Sequence, residues 1–275
     1  MSSGKGASAP FFSSSTERRG PRGGLDLRAR VSAAAVHLAL SAVVGVVVLA
    51  VVYVGWYPDP LHRLMGVGSI LVIMLAVDVV LGPLFTLIVF DRSKRYLKAD
   101  LAVIALVQVA ALAYGVWTVQ QGRPAWVVFV KDRFEVVAPA DVRPADRRDA
   151  RDNPQAGAHP WSPRWVAGTM PESPEARTRI LFEALSTGRD VQHYPRLYTD
   201  YGSLAPAAGQ RALPLSRLKA LNPGREQEIA ALVSRLGGSE QAIGYLPLRG
   251  AARDGAVIVT VADGRVRGIT DWAPW

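Results

Sequence analysis

Asp78 is the residue whose position most clearly requires a chemical explanation. It is the only charged residue in an apolar run from Val67 to Phe90 and lies near the middle of that run. At half depth in a bilayer an ionised aspartate costs about 2.5–3.5 kcal/mol, so a partner is expected. Gln108 of the next apolar run matches it in depth better than His37 does. Three interpretations stay open: a lock between two helices, a contact with a partner's transmembrane helix, and a proton relay, for which no second carboxylate exists at that depth.

Gly82 and Pro83 follow Asp78 by one helical turn. A proline inside a helix removes one backbone donor and crowds the preceding turn, so we expect a kink or a locally opened helix with free carbonyl groups. This opening is either simple packing geometry or part of a groove for an incoming helix.

Other catalytic signals are weak. The four histidines are scattered without zinc-ligand spacing, and no nucleophile elbow, P-loop or dinucleotide-binding motif occurs. Carboxylates of the second half mostly neighbour arginines, which is typical of a solvated loop. The sequence therefore predicts no catalytic residue, no cofactor and no metal, and a protein that is not an enzyme. His193 with Tyr194, Tyr198 and Tyr201 is either a recognition surface or core and turn packing.

Three long helices must position Asp78 and its neighbours. The 275 residues are 49% apolar, and their mean hydropathy of +0.15 comes largely from three runs that hold almost no charge. A bilayer core of about 30 Å needs roughly 20 apolar helical residues, so each run is long enough to cross it. The predicted spans are 31–57, 67–90 and 99–121, which excludes a purely soluble protein. The first is predicted to be an uncleaved anchor because it is too long for a signal peptide.

The net charge of +9 predicts orientation rather than nucleic-acid binding. The first 30 residues carry six basic and two acidic side chains, and residues 91–100 carry four and two, whereas residues 123–275 carry 21 and 17. Basic residues concentrate on the cytoplasmic side of spans. We therefore expect a cytoplasmic N-terminus and an exported C-terminal half, periplasmic in a Gram-negative cell, in a multi-pass inner-membrane protein.

The remaining chain divides into a tail and a domain. Residues 1–30 read as a flexible basic cytoplasmic tail, and residues 122–275 as a small α+β domain with an antiparallel sheet. Residues 139–174, rich in proline and arginine, are expected to form an extended, partly mobile loop. The finer expectations are strands over 125–130, 134–137, 243–248, 256–261 and 265–269, a two-residue hairpin turn at 263–264, and helices over 174–187 and 223–236, the second capped by Asn222.

Four segments together resemble the TfpX/TfpZ family of type IV pilin accessory proteins. They read WYPDPL from Trp56, LAVDVVLGPLFTLIVF from Leu75, LKADLAVIALVQVAALAYGVWTV from Leu97 and RPAWVVFVKDRFEVV from Arg123. The likeness covers residues 31–137, with a looser match of the domain that follows. Besides Asp78, Gly82 and Pro83, the shared positions are Lys131, Asp132, Arg133, Phe134 and Glu135, to which the resemblance assigns no roles.

The resemblance implies an inner-membrane, non-enzymatic accessory that stabilises a major type IV pilin or promotes its assembly, in a chaperone-like way. The expected partner is the major pilin, contacted at both its transmembrane helix and its globular domain; membrane lipid and other pilus-assembly proteins are further expected partners. The nearly balanced charge of the C-terminal half argues against nucleic acid. Two alternatives stay open: a structural or regulatory subunit of another envelope secretion or pilus complex, and a membrane-anchored periplasmic sensor module.

Overall fold

Three apolar helices precede a sheet-containing domain in the computed structural model, which describes residues 27–92, 94–237 and 239–275. The helices Leu27–Trp56, Gly68–Val89 and Leu97–Gln121 are long and apolar enough to cross a membrane, by length and composition. We call them the first, second and third spans. Residues 1–26, most of the predicted tail, lie outside the described residues.

Two of the spans are not regular throughout. A wider π-helical turn occupies Val51–Trp56 at the end of the first span and Ala76–Leu81 in the middle of the second, just before Gly82 and Pro83. In such turns a backbone N–H donates to the carbonyl five residues back instead of four. The α-helical parts are α1 (Leu27–Ala50) in the first span, α2 (Leu61–Met65) in the connection, α3 (Gly68–Leu75) and α4 (Gly82–Val89) in the second span, and α5 (Leu97–Gln121) as the third.

The C-terminal domain is built on one mixed sheet. Among the described residues its order is β4-β3-β1-β2-β6-β7-β8, with β5 paired to β6. The three-helix and α+β fold class is confirmed, but the sheet is not purely antiparallel, because β1 runs parallel to β3 and β2 parallel to β6. The strands are β1 (Trp126–Val130), β2 (Arg133–Val137), β3 (Arg164–Gly168), β4 (Tyr198–Asp200), β5 (Leu213–Pro214), β6 (Ile243–Arg249), β7 (Gly255–Thr260) and β8 (Val266–Thr270).

The expectation of an extended loop over 139–174 is wrong. The segment holds a short helix, α6 (Pro144–Asp149), and the strand β3, which lies inside the sheet beside β1. Val166 and Ala167 of this strand are fully buried, and Trp165 packs on the core. The strand is only five residues long, so the surrounding prolines and charges hid its apolar centre.

The helices of the domain agree with the sequence in one case and differ in another. Helix α7 (Pro174–Thr187) has the predicted bounds, with the Ser173 hydroxyl accepting from a backbone N–H and Gly188 ending it at a φ of 75°. The helix predicted over 223–236 is shorter and begins at Glu226. Asn222 instead follows a preceding helix, where its amide donates to the Leu218 carbonyl. The other helices are α8 (Ala205–Gln210), α9 (Leu215–Leu221) and α10 (Glu226–Arg235).

The final hairpin is present with a longer turn than predicted. Strands β7 and β8 pair antiparallel, but residues 261–265 all lie in the turn, and the register shifts beside Val259. Gly264 occupies the left-handed region at a φ of 68°. The Asp-Gly pair therefore predicts the presence of the hairpin correctly but underestimates the length of its turn.

The connection between the first two spans belongs to the core of the domain. Leu61 and Leu64 of α2 are buried in the same apolar cluster as strands β1, β2, β6 and β7. The Leu64 carbonyl accepts hydrogen bonds from the backbone N–H groups of Ala252 and Arg253, at 2.8 and 3.1 Å. Arg63 pairs with Asp271 at 2.8 Å. The membrane helices and the sheet are therefore joined by packing as well as by the chain that follows the third span.

Candidate functional site

Asp78 lies in the π-helical turn of the second span and is 7% exposed. Gln108 of the third span does approach it, but the Gln108 amide donates to the Asp78 backbone carbonyl, at 3.3 Å, and not to the carboxylate. No side chain in the described part of the chain donates a hydrogen bond to that carboxylate. The predicted neighbours are brought together, and the carboxylate remains open to a further partner.

Pro83 explains why the Asp78 carbonyl is free. In the π-helical turn the N–H of Gly82 donates to Val77, five residues back, so the N–H of residue 83 would serve Asp78. Proline has no N–H. Gln108 supplies the missing donor, and it can approach because Gly82 has no side chain: an added Cβ there would lie 1.9 Å from the Gln108 Nε2.

Small and polar residues hold the three spans together elsewhere. His37 Nδ1 lies 2.6 Å from the hydroxyl of Thr86, which joins the first span to the second. Gly45 and Gly115 allow Leu75 and Met74 of the second span to approach closely. The His37–Thr86 contact was not expected from the sequence, because the depth comparison placed His37 too far from Asp78 to be its partner.

An apolar groove lies between the second and third spans and is lined by residues of these two spans. It consists of two adjoining pockets of about 240 Å³ each that share Val77. Asp78 borders one pocket, and Gly82 and Gln108 border the other. We call the two pockets together the interhelical groove. Its outer walls are exposed apolar side chains: Ile70, Ile73, Phe85, Val103, Val107 and Tyr114.

The second predicted group, residues 131–135, lies elsewhere and has mixed roles. Lys131 and Asp132 form the turn between β1 and β2 and are exposed, with Lys131 3.4 Å from Asp190. Phe134 is fully buried in the core. Glu135 is buried too, and it accepts from Arg133 at 2.8 Å and from Gln192 at 3.0 Å. Of this group, the two turn residues are therefore the exposed ones that a partner could contact.

The two predicted groups do not form one site. Gln108 is 13 residues from the end of α5 at Gln121, or about 20 Å of helix, and Lys131 lies at the far end of the strand that follows. A partner that contacts both groups must therefore extend from the membrane into the domain.

His193 and the three tyrosines near it, considered together from the sequence, lie mostly in the packed core of the domain. The described residues include no group of three or more His, Asp or Glu side chains that could hold a metal ion. Tyr194, Tyr198 and Tyr201 are buried packing residues. Burial, together with the charge of Asp263, raises the pKa of Tyr201 to about 12, so its phenol stays protonated at neutral pH.

Comparison with known proteins finds one matching family model and several similar proteins. Residues 25–66, the first span and its docked connection, match the family model described as Fimbrial assembly protein FimB. The chain is similar to fimbrial assembly proteins. The relative named Fimbrial assembly protein, serogroup I, from Dichelobacter nodosus is 28% identical over 222 residues, covering 78% of this chain and 83% of the relative.

Two further relatives come from the same organism. The serogroup E1 protein is 26% identical over the same shares of the two chains. The protein of serogroups C1 and C2 is 29% identical over 109 residues, or 39% of this chain. No solved structure matches. All three relatives are named as fimbrial assembly proteins, and the TfpX/TfpZ name itself is not confirmed.

The sequence reasoning missed the docked connection. Leu61 and Leu64 stand three residues apart between Pro60 and Gly66, the spacing of one apolar helix face with a stop on each side. That signal was present, but five residues are too few to stand out beside three long apolar runs.

Proposed function

We propose that this protein acts in fimbrial assembly as an inner-membrane accessory that holds a type IV pilin subunit before it joins the pilus. The observation that carries the proposal is the interhelical groove, whose walls are exposed apolar side chains and which the Asp78 carboxylate borders. The names of the relatives, fimbrial assembly proteins, support the biological setting. The role is chaperone-like and non-enzymatic.

The groove suits a single helix better than a lipid chain. Transmembrane helices associate through close packing and interhelical hydrogen bonds, because lipid tails are as apolar as leucine. A helix with a hydrogen-bond donor at mid-depth would satisfy the buried Asp78 carboxylate, whereas an acyl chain would not. The domain, which is attached firmly through Leu61 and Leu64, would then contact the exported part of the same subunit near Lys131 and Asp132.

Orientation follows from charge in this proposal. The basic residues of the connection after the second span, together with the basic N-terminal segment, favour the cytoplasm, so the C-terminal domain would lie in the periplasm. Reporter fusions after residue 98 and after residue 125 test this directly. A cytoplasmic signal from the second fusion would overturn the orientation.

Site-specific photocrosslinking tests the contact with the pilin. A photoreactive residue is placed at Val107 or Tyr114, on the groove walls, and at Asp132 on the turn. The matched control is Val46 of the first span, which is as exposed as the groove positions but does not line the groove. We expect adducts with the cognate pilin at the groove positions and at Asp132, and none at Val46.

Two results would contradict the proposal. One is the absence of pilin adducts from every groove position in cells that express both proteins. The other is equal adduct formation at Val46 and in the groove, which would indicate random collision in the membrane. Deleting the gene should also lower the level of pilin or of assembled pili of that pilin alone; a general defect of the envelope would favour a subunit of another complex.

A further inference from the structure

A cavity with two arginines lies where the third span leaves the membrane. It has a volume of about 300 Å³ and is lined by Gln121, Arg123, Trp126 and Arg147, with Pro139 and Pro195 among the remaining walls. No acidic residue occurs among the described residues that line it. We call it the exit cavity. Its composition is unlike the interhelical groove, which is almost entirely apolar.

Arg123 is the central basic group of the exit cavity. It is 7% exposed, and two of its N–H groups donate to the backbone carbonyls of Gln120, at 2.9 Å, and His159, at 3.4 Å. A guanidinium has five N–H donors, so donors remain. No carboxylate pairs with it within the described ranges. Burial lowers the pKa of Arg123, which is the effect expected when a charge loses water without gaining a counter-ion.

Two more donor groups line the exit cavity: the exposed guanidinium of Arg147 and the buried indole of Trp126. Arg147, from α6, donates to the Pro139 carbonyl and forms no ion pair with any described residue. Trp126 is 3% exposed, and its buried indole Nε1 has no acceptor in the described part of the chain. A buried donor without an acceptor is unfavourable, so an anion here would satisfy the Trp126 indole and the remaining arginine donors at once.

The position of the exit cavity narrows the choice of anion. The apolar third span ends at Gln121, and Arg123 follows two residues later, at the boundary between hydrocarbon and water. Phosphate groups of lipids are concentrated at that depth, and arginine binds phosphate oxygens through paired N–H donors.

We propose that the exit cavity binds a phosphate group, held by Arg123 and Arg147. The source is the headgroup of a membrane phospholipid or a free phosphate ion, since both present the same oxygens. Segment 139–158, which includes the helix α6, thereby gains a role as the outer wall of a ligand site. This proposal is independent of the pilin contact, which uses the interhelical groove and the Lys131 turn.

Calorimetric titration of the full-length protein in a phosphate-free maltoside detergent tests the site. The two probes are inorganic phosphate and a short-chain phosphatidylglycerol. Arg147→Gln removes one charged donor from an exposed position, so the fold should persist, and a thermal melt without probe verifies it. The matched control is Arg148→Gln, an exposed neighbour that does not line the cavity.

We expect saturable binding that Arg147→Gln weakens about tenfold or more, while Arg148→Gln changes the Kd by less than about twofold. Binding of both probes supports a phosphate site open to either source, binding of the lipid alone supports the headgroup, and binding of phosphate alone supports the free ion. Absence of saturable binding of either probe overturns the proposal, as does an equal loss in the two variants.

Discussion

Replacing Leu64 by alanine tests whether the connection between the first two spans is part of the domain core. Leu64 is fully buried, and its methyl groups lie against the backbone of Gly255. The backbone hydrogen bonds from Ala252 and Arg253 to its carbonyl persist in the variant, so the change isolates the side chain. Truncation of a buried leucine costs about 3–5 kcal/mol, because the transfer free energy is lost and a cavity remains.

The expected readout is a lower thermal midpoint of the detergent-solubilised protein. For a unit of about 150–250 residues, 1 kcal/mol shifts Tm by about 2–4 °C, so Leu64→Ala should lower Tm by roughly 6–12 °C at the lower estimate of its cost. The matched control is Leu185→Ala, the same chemical change at a side chain that is 85% exposed. Its effect should stay within about 0.5 kcal/mol. Equal Tm values for the two variants would refute the docking of α2 into the sheet domain.

Two further predictions concern the domain. Burial alone would raise the pKa of Asp271, but the hydrogen bond and charge of Arg63 hold this pKa below its usual value. The ionised carboxylate therefore stabilises the fold at a pH above its unfolded pKa of about 3.9, and this stabilisation is lost as the pH falls through the folded pKa. The Tm advantage of the wild type over Asp271→Asn should therefore shrink below about pH 4, and an advantage that grows on acidification would contradict the assignment. Gly264→Ala should lower Tm much more than Gly237→Ala: both glycines have positive φ, but an added Cβ at Gly264 would lie 1.6 Å from the Ala205 carbonyl, whereas at Gly237 nothing lies within 4 Å. Similar Tm values for the two variants would contradict this prediction, because they would mean that the positive φ and not the contact with Ala205 determines the cost of the added methyl group.

Local sequence signals correctly predict the elements whose own ends contain residues that begin or end them. Helix α7 was predicted with its observed bounds because Ser173, Pro174 and Gly188 act within one turn of its ends. The strand β3 was missed because its stability comes from pairing with β1, more than 30 residues earlier, and not from its own pattern. Docking of α2 depends on contacts with strands almost 200 residues later, which no local window contains.

The sequence predicts that Asp78 and Gln108 lie at a similar depth in the membrane, but not which atoms form the hydrogen bond between them. Counting residues along two helices placed Gln108 beside Asp78 correctly, since the rise of a helix is fixed. Which oxygen of Asp78 accepts the hydrogen bond depends on the π-helical turn and on the donor that Pro83 lacks. The arginines of the exit cavity come from segments that are distant in sequence, so their proximity follows only from the fold.

The pairing of Arg63 with Asp271 also sets an order of events during biosynthesis. The two residues are 208 positions apart, and at about 5–20 residues per second the ribosome needs roughly 10–40 s to make the intervening chain. Until that chain is made, Leu61 and Leu64 have no sheet to cover them. The nascent protein therefore passes through a stage in which the apolar face of α2 is exposed, because the strands β6 and β7 that bury it are made much later.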